Sequence, residues 1–353
     1  MRTVPDRRRA EPGCDGRDNE KSAGRACRGW SYFGAMRDQA DEVAGERSPA
    51  LRRVLERAAL EDDTSLLDLL ASRLSGADLT TLLLEVFRRR ALGQSPAEVM
   101  RRYRTDRFVG PSPIPHAAQR RAEDALIGAL PSSVEMVSLA PLTPLGTRCS
   151  VATVDPRKVV ATIRGSEVAA DPTNALALEA AARRSTLLAR QPRSTTPVYL
   201  AASQRVVRAQ HFGAAGMSAH FLLFGLVSAG RDVGGLAFER ENLAVHLRFA
   251  AEALAAAGMT GTTIRVTVLD PAFEAVFEHV SAVLAEVPNV RVIPDQSRES
   301  GRGYYSGLCF KVHAGELELG DGGFTDWTAQ LLGNRKERLL VSGYGVDRLA
   351  DGR

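Results

Sequence analysis

The residues best placed to do chemistry lie toward the end of this 353-residue chain, between Gly301 and Arg353. Gly345-Val346-Asp347-Arg348 follows the apolar run Leu339 to Tyr344, so Arg348 stands where a strand hands over to a helix. A guanidinium there is a fixed, always-charged fork that matches an anionic ligand. Upstream, Asp321-Gly322-Gly323 reads as a glycine turn that lets backbone approach a partner closely. Other chemistries lack their motifs. The six histidines (His116, His211, His220, His246, His279, His313) show neither HExxH nor HxH spacing, and no P-loop, GxSxG or Rossmann fingerprint occurs. The four cysteines, Cys14, Cys27, Cys149 and Cys309, form no CxxC pair, so neither a metal site nor a disulfide framework is expected. Glu167 and Asp171 lie in a polar segment expected to face a pocket, although capping of the next helix explains Asp171 as well.

The elements that must position these residues alternate in period. Leu308 to His313 and Glu316 to Leu319 read as strands joined at Ala314-Gly315. Further strands are expected at Val134 to Leu139, Cys149 to Val154, Lys158 to Ile163, Val198 to Ala201 leading on to Arg208, Phe221 to Ser228, Ile264 to Leu269 and Val290 to Ile293. Helices are expected at Ala117 to Leu130, Asn174 to Leu188, Asn242 to Ala257 with Gly258 as its stop, and Phe273 to Val287. This is an α+β pattern with a mostly antiparallel sheet. A small helical unit with a Pro-rich linker precedes it over residues 48–115, and residues 1–47 read as a disordered basic tail. In the helical unit Leu79, Leu82, Leu83, Val86 and Phe87 keep helical spacing, and Ser95-Pro96-Ala97-Glu98 is a capping box. Its leucine stripes suit a core or the docking of a protein partner.

Composition is that of an ordinary globular protein, with 25% charged and 44% hydrophobic residues and a net charge of +4. No apolar run is long enough for a membrane span, and the N-terminus has no secretory h-region; with the cysteines unpaired, a reducing, cytoplasmic setting is expected. The arginine clusters Arg88 to Arg90 and Arg101-Arg102 read as solvated helix faces.

Tyr304-Tyr305, Gly322-Gly323-x-x-Asp326 and Gly345-Val346-Asp347-Arg348 together resemble, in order and rough spacing, the catalytic core of class II aminoacyl-tRNA synthetases, above all the histidyl-tRNA synthetase branch. Arg208-Ala209-Gln210 matches that family's Arg-x-Glu motif, and Phe221 its stacking aromatic. The resemblance covers roughly residues 130–353 and implies a class II antiparallel sheet flanked by helices. It implies that Arg208 and Arg348 hold the phosphates of ATP with Mg2+, that Phe221 stacks on adenine, and that Gln210 and Gly345 complete the nucleotide site. It further implies that Asp171, Thr173, Tyr304, Tyr305, Ser306, Gly322 and Gly323 line the pocket for a small-molecule carboxylate. A homodimer formed near Ser132 to Leu145 is also implied.

Departures from the family pattern narrow the function. Gln210 replaces the motif glutamate, and Asp171-Pro172-Thr173-Asn174-Ala175 lacks the glutamate that grips an amino group. Two polar positions after the aromatic fall at Leu223 and Val227, and an activating arginine falls at Ser300, with Arg302 out of register. A pocket without those partners discriminates poorly for histidine. The chain ends shortly after Arg348, so no anticodon-binding domain is expected in residues 116–353 and tRNA is not the expected acceptor. Two functions remain: an ATP-dependent ligase that adenylates a carboxylate for a non-tRNA acceptor, or a regulatory protein similar to the ATP phosphoribosyltransferase regulatory subunit.

Overall fold

The computed structural model describes residues 68–152, 154–210, 218–299 and 303–352. All of them fall within one compact unit, Arg53–Arg353. The expected tail, the helix face from Leu51 to Ala58, Leu66, Leu67, His211, Ser300 and Arg302 lie outside the described residues.

After a short π-helical turn at Leu69–Arg73 come the helices α1 (Gly76–Leu92) and α2 (Pro96–Thr105). Ser95 and Glu98 form the expected capping box on α2. Neither helix buries a side chain, and Phe87, Leu92, Val99, Met100 and Tyr103 are exposed. After the linker come α3 (His116–Gly128), β1 (Glu135–Met136), β2 (Leu142–Pro144), α4 (Thr147–Ala152) and β3 (Ser166–Val168). Then follow α5 (Pro172–Arg190), β4 (Val198–Val207), β5 (His220–Arg231), α6 (Ala237–Ala256), β6 (Thr262–Val268), α7 (Glu274–Leu284) and β7 (Val290–Pro294). The chain closes with β8 (Ser306–Ala314), β9 (Leu317–Thr325), α8 (Trp327–Leu332), β10 (Glu337–Gly345) and α9 (Val346–Asp351).

Eight strands make one sheet in the order β1-β4-β5-β10-β9-β8-β6-β7, antiparallel except for the parallel edge pairs β1–β4 and β6–β7. Strand alternation sends successive side chains to opposite faces. Leu340 and Tyr344 of β10 join the core under α3, α6, α7 and α9, whereas Leu339 and Val341 join the core under α4, α5 and Trp327. The second face carries the site.

Three expectations are corrected. Cys149 to Val154 begins as the helix α4, not a strand, because the Glu167 carboxylate accepts from the backbone N–H groups of Gly146 and Arg148, each at 2.9 Å, and satisfies its first turn. Glu167 is thus a cap and not a pocket residue. Lys158 to Ile163 forms no ladder strand; a short 3-10 turn at Pro156–Lys158 and one isolated bridge from Ala161 to Glu167 replace it. Asp321-Gly322-Gly323 is not a turn but the middle of β9, paired on both sides. Its glycines serve close packing: a Cβ on Gly322 would lie 2.5 Å from both the Phe310 ring and the Val341 carbonyl.

Candidate functional site

The site grows from the N-terminus of α5 and the ends of β5, β9 and β10. Pro172 and Leu176 press α5 onto the sheet at Gly225, where a Cβ would come within 3.0 Å of Leu176. That packing aims the positive end of a 19-residue helix into the site. Asp171 caps it, accepting from the Thr173 N–H at 3.0 Å and the Thr173 hydroxyl at 2.7 Å.

Two adjoining cavities with shared walls lie here. The outer cleft, about 450 Å³, is lined by Arg208, Phe221 and Leu223 on one side and by Glu318, Asp321, Gly345, Asp347 and Arg348 on the other. Pro113 and Ile114 of the linker add a further wall. The inner pocket, about 50 Å³, is bounded by Asp171, Thr173, Asn174, Tyr304, Tyr305 and Trp327. Arg148, Asp171, Tyr304, Asp321 and Gly343 line both cavities.

Arg208 donates from Nε to the Ala170 carbonyl at 2.9 Å and from Nη2 to Asp171 Oδ2 at 3.1 Å, and its guanidinium sits 5.1 Å from the Phe221 ring centroid. Burial lowers its pKa, opposed by the Asp171 charge. Burial also works against ionising Asp171, but Arg148, Arg208 and Thr173 together outweigh it and hold that carboxyl below its usual range. Arg148 approaches Asp171 at 3.6 Å and donates to Asn174 Oδ1 at 3.1 Å. Arg348, more exposed, donates to the Glu318 carbonyl at 3.0 Å.

Asp321 is the counterpart on β9. Burial raises its pKa, with Arg298 opposing, and it accepts from Arg298 and from the Tyr305 hydroxyl, each at 3.1 Å. Arg298 also donates to the Phe310 carbonyl at 2.8 Å. The rings of Tyr304 and Tyr305 lie 4.4 Å apart, and burial followed by the Asp321 charge pushes the Tyr304 hydroxyl up to about 12. Both phenols therefore stay protonated at neutral pH and act as hydrogen-bond donors.

Of the expected residues, Arg208, Phe221, Gly345 and Arg348 meet in the outer cleft and Asp171, Thr173, Tyr304 and Tyr305 in the inner one. The structure leaves the others aside. Gly322 faces the Phe310 core, Gly323 packs on Tyr305 and Cys309, and Ser306 lies in a separate groove with Phe273 and Arg338. Gln210 lines neither cavity; its carbonyl accepts from Arg107. Arg148, Arg298, Asp321 and Gly343 were missed, because each reaches the site through pairings distant in sequence. Asp321 stood beside the noted glycines and was the one detectable signal. His220 lines neither cavity, and His246 is buried between the Ser228 and Ser342 hydroxyls, where burial pushes its imidazole down to about 3.

No family model matches the sequence, and no curated protein matches it. Solved structures do. A histidine–tRNA ligase subunit from Alicyclobacillus acidocaldarius is 15% identical over 68% of this chain and 94% of its own, with a TM-score of 0.50. Histidyl-tRNA synthetase from Nostoc sp. PCC 7120 is 13% identical over 70% and 74% of the two chains, with a TM-score of 0.51. The apo S. aureus histidyl-tRNA synthetase is 13% identical over 68% and 71%, also at 0.51. At these identities the likeness speaks for architecture alone: the chain has the α+β, class II synthetase-like fold of the histidyl-tRNA synthetases.

Proposed function

We propose that the chain binds ATP in the outer cleft and adenylates a small carboxylate held in the inner pocket, for transfer to an acceptor other than tRNA. The observation that carries this reading is that Arg208 and Phe221 meet the sequence-distant Arg348 in one cleft, which adjoins a second pocket sharing Arg148 and Asp321. Guanidinium forks suit a triphosphate, an aromatic face suits a base, and an adjoining pocket supplies the second reactant. Among the described residues no three His, Cys, Asp or Glu side chains converge as a metal cage. In this reading Mg2+ would arrive on the nucleotide and offset phosphate charge, with Glu318, Asp321 and Asp347 of the cleft as the carboxylates that could hold it. The reading includes a cytoplasmic homodimer with residues 48–115 as an appended helical unit. No described helix is long and apolar enough to cross a membrane.

One observation favours a regulatory use of the same cleft. Arg208 already donates to Ala170 and Asp171, which ties its fork inward, and apolar Leu223 lines the cleft where a polar partner would help position an acid. Calorimetry with Mg·ATP followed by carboxylate-dependent pyrophosphate exchange separates the two. Binding that weakens about tenfold or more in Arg208→Ala and in Arg348→Ala, with exchange by some acid, supports the ligase. Binding without exchange across a broad acid panel supports regulation, and no binding at all sinks the nucleotide reading.

A further inference from the structure

The linker between α2 and α3 makes contacts that a passive connection does not need. Arg107 donates to the carbonyls of Ala209 and Gln210, just past Arg208. Three residues on, the Gly110 carbonyl accepts from His220 Nε2 at 2.6 Å. A carbonyl only accepts, so that nitrogen carries the proton and Nδ1 is left to accept from Arg205 Nη1 at 3.1 Å. Arg205 in turn lies 3.9 Å from Asp347 Oδ2, and Asp347 Oδ1 accepts from Gln119 Nε2 at 2.7 Å. The same Gln119 amide reaches the Ser112 hydroxyl at 3.3 Å, back on the linker. The polar contacts thus leave the linker at Gly110, cross β5, β4, α9 and α3, and return to it at Ser112.

We infer that residues 107–114 are a strap whose placement sets the geometry of the cleft, with Gln119 and His220 as positioning residues that hold it. The inference builds on the nucleotide reading but has its own physical basis. The polar ring ties the strap both to the segment bearing Arg208 and to Asp347, the neighbour of Arg348. Pro113 and Ile114 of the strap are themselves cleft wall. Gln119 is 7% exposed and His220 9%, so the contacts of these two are shielded from water, whereas Arg205 and Arg107 lie at its edge. Loosening the strap moves both arginine segments together and links the exposed α2 helix to the cleft.

The test uses the full chain with Gln119→Glu, which sets a carboxylate against Asp347, and the double change Gln119→Glu with Asp347→Asn, which exchanges donor and acceptor. His220→Ala is a third variant. Hydrogen–deuterium exchange without nucleotide should rise in Gln119→Glu at 107–114, 205–210 and 345–350 together and fall back in the double variant. Exchange that rises only around 112–119 overturns the strap, whether or not ATP binds. If the wild type binds Mg·ATP, Gln119→Glu and His220→Ala should each weaken it about tenfold, as expected for a lost buried polar contact. Affinities within twofold of wild type would also overturn it. Coupled exchange without ATP binding keeps the strap and removes the nucleotide reading.

Discussion

Gly343 shows how a single residue separates site from scaffold. It sits on β10 between its partners Gly225 and Asp321, lines both cavities, and a Cβ there would meet nothing within 4 Å. A side chain at this position projects into the cavity without disturbing packing, and a β-branched residue suits a strand. Gly343→Val should therefore abolish ligand binding while the melting temperature moves by no more than about 2–4 °C, the equivalent of roughly 1 kcal/mol. Unchanged ligand affinity would show that the ligand does not reach the β10 face. Asp171 gives a second residue-scale prediction. Its folded pKa lies below the ordinary value, so its stabilising contribution is full above that value and is lost as pH falls through the folded pKa. Asp171→Asn should be less stable than wild type at pH 7, and the difference should close progressively below about pH 4 in acid denaturation curves. A gap that persists at pH 2 would mean that Asp171 acts by packing rather than by charge. Arg208 and Phe221 were legible in the sequence through their match to the motifs of the resembled family, and Arg348 also through its place where a strand hands over to a helix. Arg148 and Arg298 were not, because their roles come from Asp171 and Asp321, side chains distant in the chain.

Elements were legible where one face is buried and illegible where a distant side chain decides. The helix α5 and strands β4, β5 and β10 follow their apolar periods. The α4 segment reads as a strand by composition and becomes a helix only because Glu167 satisfies its first turn. Likewise the β9 glycines look like a turn in isolation, and their strand state is set by neighbours on both sides. The orientation of α5, on which Asp171 depends, has an equally distant cause. Fully buried Arg184 donates from Nε to Glu337 Oε2 at 2.8 Å and from Nη2 to Oε1 at 3.0 Å, tying α5 to the start of β10. It also donates to the carbonyls of Thr196 and Ser194. Arg184→Met leaves a buried carboxylate whose other cation, Arg231, stands 3.8 Å away, and should cost about 3–5 kcal/mol in urea unfolding. A loss below about 1 kcal/mol would mean that apolar packing alone orients α5.

At the scale of the whole molecule, the proposed homodimer calls for an apolar surface to bury. Two present themselves. One lies along residues 136–145, from the edge strand β1 past β2, where Met136, Leu142 and Leu145 are 38%, 43% and 58% exposed; a sheet edge and exposed apolar side chains each invite association. The other lies on α1 and α2, with Phe87 and Tyr103 47–50% exposed among exposed arginines. The homodimer in the proposed function would use the first surface, since seven arginines against four carboxylates in residues 76–107 leave the α1–α2 surface with a net positive charge that opposes self-association. Light scattering at micromolar concentration should give twice the chain mass. Leu142→Glu with Leu145→Glu, both at positions already exposed in the single chain, should yield a folded monomer, because a stable interface of roughly 1,200–2,000 Å² cannot absorb two unpaired buried carboxylates. A monomeric wild type refutes the dimer outright. If instead the double variant remains dimeric and Phe87→Glu with Tyr103→Glu dissociates it, the α1–α2 surface is the interface. The strap would then join that interface to the cleft, and nucleotide affinity should rise and fall with dimerisation.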